Sequence, residues 1–182
     1  MFDKNAFVQA LMLGNRFKVD HVRNGLVIAK FDIHNDITTE GKNKLLDVMF
    51  ANDSQVETWY LGLVDVTNFV AVAVGDEYVN IDQAGNQWDE FTDYEYAANA
   101  TARAEWQEDA ASGGSISNTT VATFDIDDAG SVWGIFLGGG VAGANTQGDN
   151  SVGGSLWATA NFTANVVVAN TDQLKVTYTV TA

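Results

Sequence analysis

The run Ser131-Val-Trp-Gly-Ile-Phe-Leu-Gly138 constrains the fold more than any other stretch of this chain. Val132, Trp133, Ile135, Phe136 and Leu137 fall within six positions, with Asp127, Asp128 and Gly130 before them and Gly138, Gly139 and Gly140 after. A short, nearly continuous apolar run between turn residues reads as a strand covered on both faces. It is too short for a buried helix of ordinary length. Such a strand requires neighbours on each side and a layer over each face. Gly134 is its one interruption, and glycine inside a strand marks a bulge or a close approach by another group. Plain alternation sets Trp133 and Ile135 on one face and Val132, Gly134 and Phe136 on the other. That leaves a gap at Gly134 for an aromatic such as Trp59 or Trp157.

The remaining pattern supplies the partners. Residues 17–34 form a β-hairpin, because Asn24-Gly25 suits a two-residue turn with positive φ at both centres. In its second arm Val27, Ala29, Phe31 and Ile33 share one face, and Lys30, Asp32 and His34 share the other, which is wet or meets a partner. Residues 38–51 predict the one helix, capped by Thr38 or Thr39. Its stripe of Leu45, Leu46, Met49 and Phe50 is expected to pack on the core. Strands are expected from 55 to 181: 55–64, 70–74, 103–106, 116–126, 131–138, 156–162, 166–168 and 174–180. In the last, Leu174, Val176, Tyr178 and Val180 alternate with Lys175, Thr177 and Thr179. Residues 138–154 read as a long exposed Gly/Asn/Ser loop, and residues 65–115 are the least legible part. Short strands at close intervals with one helix predict a mainly β chain, an antiparallel β-sandwich or jelly roll. It is expected to be one domain over 17–182, preceded by an arm over 1–16.

Charge bounds the partners. The net charge is −15, yet residues 1–44 carry seven Lys and Arg against five Asp and Glu. The other bases are Arg103 and Lys175. A chain this acidic is expected to bind neither nucleic acid nor an anionic membrane. There is no cysteine, which removes disulfides, thiolate catalysis and zinc–thiolate sites. No apolar stretch is long enough for a membrane-spanning helix. The opening run Ala6–Leu13 is broken by Gln9 and followed by Asn15 and Arg16, so it does not read as a signal peptide. It is too apolar to be left in water. It packs on its own body or on a partner, and Phe2, Phe7, Leu11, Met12 and Leu13, with Arg16, Lys18, Arg23 and Lys30, are the candidate partner-binding residues.

Signatures of chemistry are few. His21 and His34 lie on the two hairpin arms but out of register, too poorly matched for a zinc pair. Asp125-Ile-Asp127-Asp128-Ala-Gly130 has part of a calcium loop, without the alternating ligands or the closing glutamate. Asp89, Glu90, Asp93 and Glu95 form the densest acidic cluster, read as solvated surface. Beside it, Trp88 and Tyr94 are the candidate glycan-stacking pair. No nucleophile elbow, phosphate loop or dinucleotide fingerprint occurs. The expectation is a protein without enzymatic activity, metal or cofactor.

The order of several short motifs is similar to that of small virion proteins of tailed bacteriophages. They are Gly41-Lys-Asn-Lys-Leu-Leu-Asp47, Trp59-Tyr-Leu-Gly-Leu63, Trp88-Asp-Glu-Phe-Thr-Asp-Tyr94, Arg103-Ala-Glu-Trp106, Gly114-Ser-Ile-Ser-Asn118 with Phe124, Val132-Trp-Gly-Ile-Phe-Leu137, Gly154-Ser-Leu-Trp-Ala-Thr-Ala-Asn-Phe162 and Asp172-Gln-Leu-Lys-Val-Thr-Tyr178. The resemblance covers roughly residues 25–182. The resemblance implies a structural protein of the virion, assembled in the host cytoplasm. It implies a head decoration (cement) protein, a β-rich homotrimer bound to the major capsid protein, or a tail or fibre component that binds host glycans. It transfers no catalytic residues.

Overall fold

The computed structural model describes residues 15–83 and 88–181. The described chain is mainly β, as expected, and forms two antiparallel sheets with one short helix. The elements are β1 (Arg16–Arg23), β2 (Leu26–His34), β3 (Asp36–Ile37), α1 (Thr39–Phe50), β4 (Trp59–Asp65), β5 (Glu90–Phe91), β6 (Tyr94–Glu95), β7 (Ala104–Trp106), β8 (Ser115–Ser117), β9 (Ala122–Ile126), β10 (Gly130–Gly139), β11 (Ser155–Val168) and β12 (Gln173–Thr181). A single 3-10 turn covers Tyr78–Asn80.

The first sheet runs β2-β1-β12-β9-β6, with β8 also paired to β12. Asn24 and Gly25 carry the positive φ values of 52° and 75° that join β1 to β2. β1 lies between β2 and the last strand, with Arg16 opposite Thr179 and Val22 opposite Gln173. Residues 116–126 are two strands and not the single one expected. The break is filled by a side chain that imitates backbone. Asn118 Oδ1 accepts from Tyr178 N at 2.8 Å, and its Nδ2 donates to Val176 O at 3.1 Å, so β12 stays hydrogen-bonded between β8 and β9.

The second sheet runs β3-β11-β10-β4-β5, with β7 also paired to β4. Phe17, Val19, Phe124, Ile126, Leu174, Val176 and Tyr178 of the first sheet meet Leu61, Leu63, Ile135, Leu137, Ala160 and Phe162 of the second, forming the main core. A smaller core covers the opposite face of the second sheet and contains Val64, Tyr78, Ile81, Trp88, Phe136, Ala144 and Leu156. β10 therefore has a strand on each side and a core on each face, as its apolar run requires.

Gly134 is where simple alternation fails. β10 has one residue more than β4 between Val132 and Gly134, and the register to β11 shifts at the same place. A bulge of this kind reverses the facing of what precedes it. Val132 thereby joins Ile135 and Leu137 in the main core, while Trp133 joins Phe136 beside the smaller one. The space at Gly134 is filled by backbone and not by Trp59 or Trp157: a Cβ there would lie 2.3 Å from the Ala160 carbonyl oxygen.

Three further expectations change. Residues 70–74 form no strand. Val70 is exposed, Val72 packs on the smaller core, and the Val74 carbonyl accepts from Thr39 N at 2.6 Å. The burial does not follow their Val/Ala alternation: Val70 and Val74 are exposed, and Ala71, Val72 and Ala73 are half-buried. The 140–154 segment is likewise part of the fold, with Ala144 and Gly154 buried and Asn150 Nδ2 donating to Ile81 O at 2.6 Å. Residues 155–168 form one long strand, where two shorter ones were expected.

Candidate functional site

Helix α1 is anchored by hydrogen bonds through its first turn. Thr38 is the N-cap, and its Oγ1 accepts from Gly41 N at 2.9 Å while donating to the Leu156 carbonyl. Thr38 N donates to Trp157 O at 3.0 Å. The Glu40 carboxylate accepts from Leu156 N at 2.6 Å and Tyr78 N at 2.9 Å. Burial pushes the Glu40 carboxyl above its ordinary value, and these two N–H groups restrain the rise. Gly41 is the one buried residue of the helix. Its backbone lies directly on β11, where a Cβ would be 2.6 Å from the Trp157 carbonyl oxygen.

The apolar stripe of α1 is not core, contrary to expectation. Leu46 is 52 % exposed, Met49 64 % and Phe50 78 %. Leu45 and Val48 border the open end of the sandwich, while Leu46, Met49 and Phe50 are turned to solvent. The sequence pattern reports only that one face is apolar, not whether the fold supplies a surface for it. A contiguous exposed apolar patch on a soluble domain marks an interaction surface.

Beside this face the sandwich is open. Between the sheets at this end lies a groove of about 300 Å³, lined by Val56, Trp59, Trp106, Ile116, Trp157 and Val180. Leu45 and Val48 of α1 form one wall. Trp59 and Trp157 meet edge to face, with ring centroids 6.0 Å apart. The two features adjoin, one projecting and one recessed. No protein-family model matches the chain, and no curated protein matches it.

The partner-binding candidates do not converge on this site. Phe2, Phe7, Leu11, Met12 and Leu13 lie outside the described residues. Arg16, Lys18, Arg23 and Lys30 lie on the hairpin, where most are already paired. Arg16 faces Asp32 at 3.3 Å and His34 at 2.8 Å, Lys30 holds Asp20 at 2.9 Å, and Arg23 holds Asp172 at 2.6 Å. Lys18 alone of the four has no ion pair among the described residues. The basic excess of the first quarter is therefore largely consumed inside the fold. His21 bonds Asp172 at 2.8 Å, so the two histidines serve separate pairs.

Trp88 and Tyr94 have no ring face at the surface, which removes them as a glycan platform. Trp88 packs on Phe136 and donates from Nε1 to Asp76 at 2.8 Å. Tyr94 packs edge-on against Phe124, and its hydroxyl bonds Glu90 at 3.3 Å. Among the described residues no group of His, Asp and Glu side chains is arranged to hold a metal ion. In the 125–130 turn, Asp125 accepts from Gln173 at 2.7 Å and Asp128 accepts from Ala129 N at 2.7 Å.

Glu90, read from sequence as solvated surface, belongs to a buried ionic centre. Arg103 donates to Glu90 Oε1 at 2.9 Å and Oε2 at 2.6 Å, to the Tyr78 hydroxyl at 2.7 Å, and to the Asp149 carbonyl at 2.9 Å. Burial alone would lower the Arg103 pKa, but the Glu90 carboxylate holds it above its ordinary value, so the guanidinium stays charged. Tyr78 is raised by burial, against the pull of Arg103, and stays neutral. Glu90, Arg103 and Tyr78 are buried and hydrogen-bonded to one another, so the centre joins the segments that carry them. Its one sequence sign was that Arg103 is one of only two bases beyond residue 44.

Proposed function

We propose that this chain is a non-enzymatic structural protein of a virion, a head decoration protein seated on the shell through the outer face of α1. The observation that carries the reading is the apolar stripe of Leu46, Met49 and Phe50, held out from the body on a helix whose first turn is rigidly anchored. Each such side chain contributes about 2 kcal/mol when fully buried at an interface. The motif order that resembles small virion proteins of tailed bacteriophages points to the partner, the major capsid protein. The acidic body suits the remaining surface, because a net charge of −15 keeps copies apart and soluble away from the docking face.

The test is incorporation. The Leu46→Glu/Phe50→Glu variant is co-produced with the major shell protein of the same virion, and its copy number in purified particles is measured. The expected loss is about tenfold or more. Incorporation at the normal copy number by a folded variant would overturn the proposal.

A further inference from the structure

We propose that residues 1–14 fold back onto their own chain and fill the groove at the open end of the sandwich, seating Phe7, Leu11 and Leu13 among its tryptophans. Three observations converge on this occupant. The first is where the segment begins. Asn15 is buried and held in place, its Oδ1 accepting from Thr181 N at 3.1 Å and its carbonyl accepting from Asn35 N at 3.3 Å. Arg16 stands opposite Thr179, so the chain leaves the sheet beside Val180. Val180 and its cross-strand partner Ile116 both line the groove. The preceding residues thus depart from the groove's own rim.

The second is chemical match. Residues 1–14 hold Phe2, Phe7, Val8, Leu11, Met12 and Leu13, with Asp3 and Lys4 as their only charged side chains. The groove wall is almost wholly apolar, and about 300 Å³ admits a few large apolar side chains. Leaving both in water would expose two complementary apolar surfaces a few residues apart.

The third is reach. Fourteen residues extend up to about 45 Å, more than the groove requires. A segment tethered at the rim meets its site at an effective concentration in the millimolar range. That favours its own chain over a second copy at ordinary protein concentrations. The inference concerns the free protein and stands apart from the virion reading, which rests on the outer face of α1.

The groove carries its own reporters, since Trp59, Trp106 and Trp157 are three of the five tryptophans. Deleting residues 1–14 should shift tryptophan emission to longer wavelength and increase quenching by iodide, and a synthetic peptide of residues 1–14 should reverse both. Should the truncated chain fail to fold, Leu11→Asp/Leu13→Asp in the full chain gives the same readout, with circular dichroism checking that the β signal persists. The absence of cysteine makes cross-linking specific. Oxidised Leu11→Cys/Ile116→Cys is expected to close within one chain, giving a disulfide-linked monomer on a non-reducing gel. A predominantly cross-linked dimer would assign the groove to a second copy and overturn the proposal. Unchanged emission in the folded variants, or no cross-link, would overturn it equally.

Discussion

The backbone of Gly41 lies so close to that of Trp157 that a single added carbon on Gly41 would sit 2.6 Å from the Trp157 carbonyl oxygen and 2.9 Å from its Cα. Both of those atoms belong to a central strand, so neither can move aside as a flexible side chain would. Gly→Ala within a helix ordinarily stabilises by about 1 kcal/mol. Here Gly41→Ala is expected to do the reverse and cost about 2 kcal/mol or more, because α1 must lift from β11 and loses the Thr38 and Glu40 bonds with it. Equilibrium unfolding in urea measures the difference, and a stabilised variant would refute this account of the anchor.

The outer face of α1 makes the opposite prediction. Met49→Gln and Phe50→Ser are expected to change the stability of the isolated protein by less than about 0.5 kcal/mol, since these side chains bury little. Phe136→Ala, inside the smaller core, is expected to cost about 3–5 kcal/mol. A large loss at Phe50 would mean that it has a partner within the chain and would leave the docking proposal without its surface.

Arg103 joins four separate stretches of chain through one guanidinium. Arg103→Met is expected to cost about 3–5 kcal/mol, because it leaves the Glu90 carboxylate buried without its counter-charge. Adding Glu90→Gln should recover part of that loss, giving a positive coupling in a double-mutant cycle. Additive losses would show that the two side chains act independently.

Asp172 links the ends of the chain, accepting from Arg23 at 2.6 and 2.7 Å and bonding His21 at 2.8 Å. The hydrogen bonds from Arg23, together with those from Ala169 N and His21, hold its carboxyl well below the usual aspartate range. A depressed carboxylate contributes stability that is fully present above the ordinary value of about 3.9 and is lost as pH falls from there toward its depressed value. The melting temperature of wild type should therefore exceed that of Asp172→Asn by most at neutral pH, and the gap should narrow below about pH 4. A gap independent of pH would contradict this assignment.

Local signals in the sequence identified most of the scaffold. Asn24-Gly25 announces its hairpin, the alternation of β12 names its inward side chains, and the apolar density of β10 requires the cover found on both faces. What escaped was set by contacts distant in sequence. The bulge at Gly134 depends on how β4 and β11 align against β10, and no spacing within 131–138 records that. Asn118 looks like a turn residue and acts as a piece of backbone because β12 runs beside it. The stripe on α1 was visible as a stripe, but whether it is buried depends on Gly41 tying the helix down at one end. Trp88, Tyr94 and Glu90 looked like surface because acidic neighbours surround them in sequence, while the Arg103 that draws Glu90 inward lies thirteen residues away.

The pairing of β1 with β12 sets the order in which this molecule is able to come into being. During synthesis the β1–β2 hairpin emerges early, yet one of its two edges has no partner until the final strand is made. The bond between His21 and Asp172 spans 151 residues. Closing a loop of that length is entropically costly, and folds dominated by such distant pairings form slowly. The first sheet thus becomes whole only once residues 173–181 have been made and have paired with β1. A chain that stops before residue 173 is left with Phe17 and Val19 uncovered, a form that quality-control proteases would recognise.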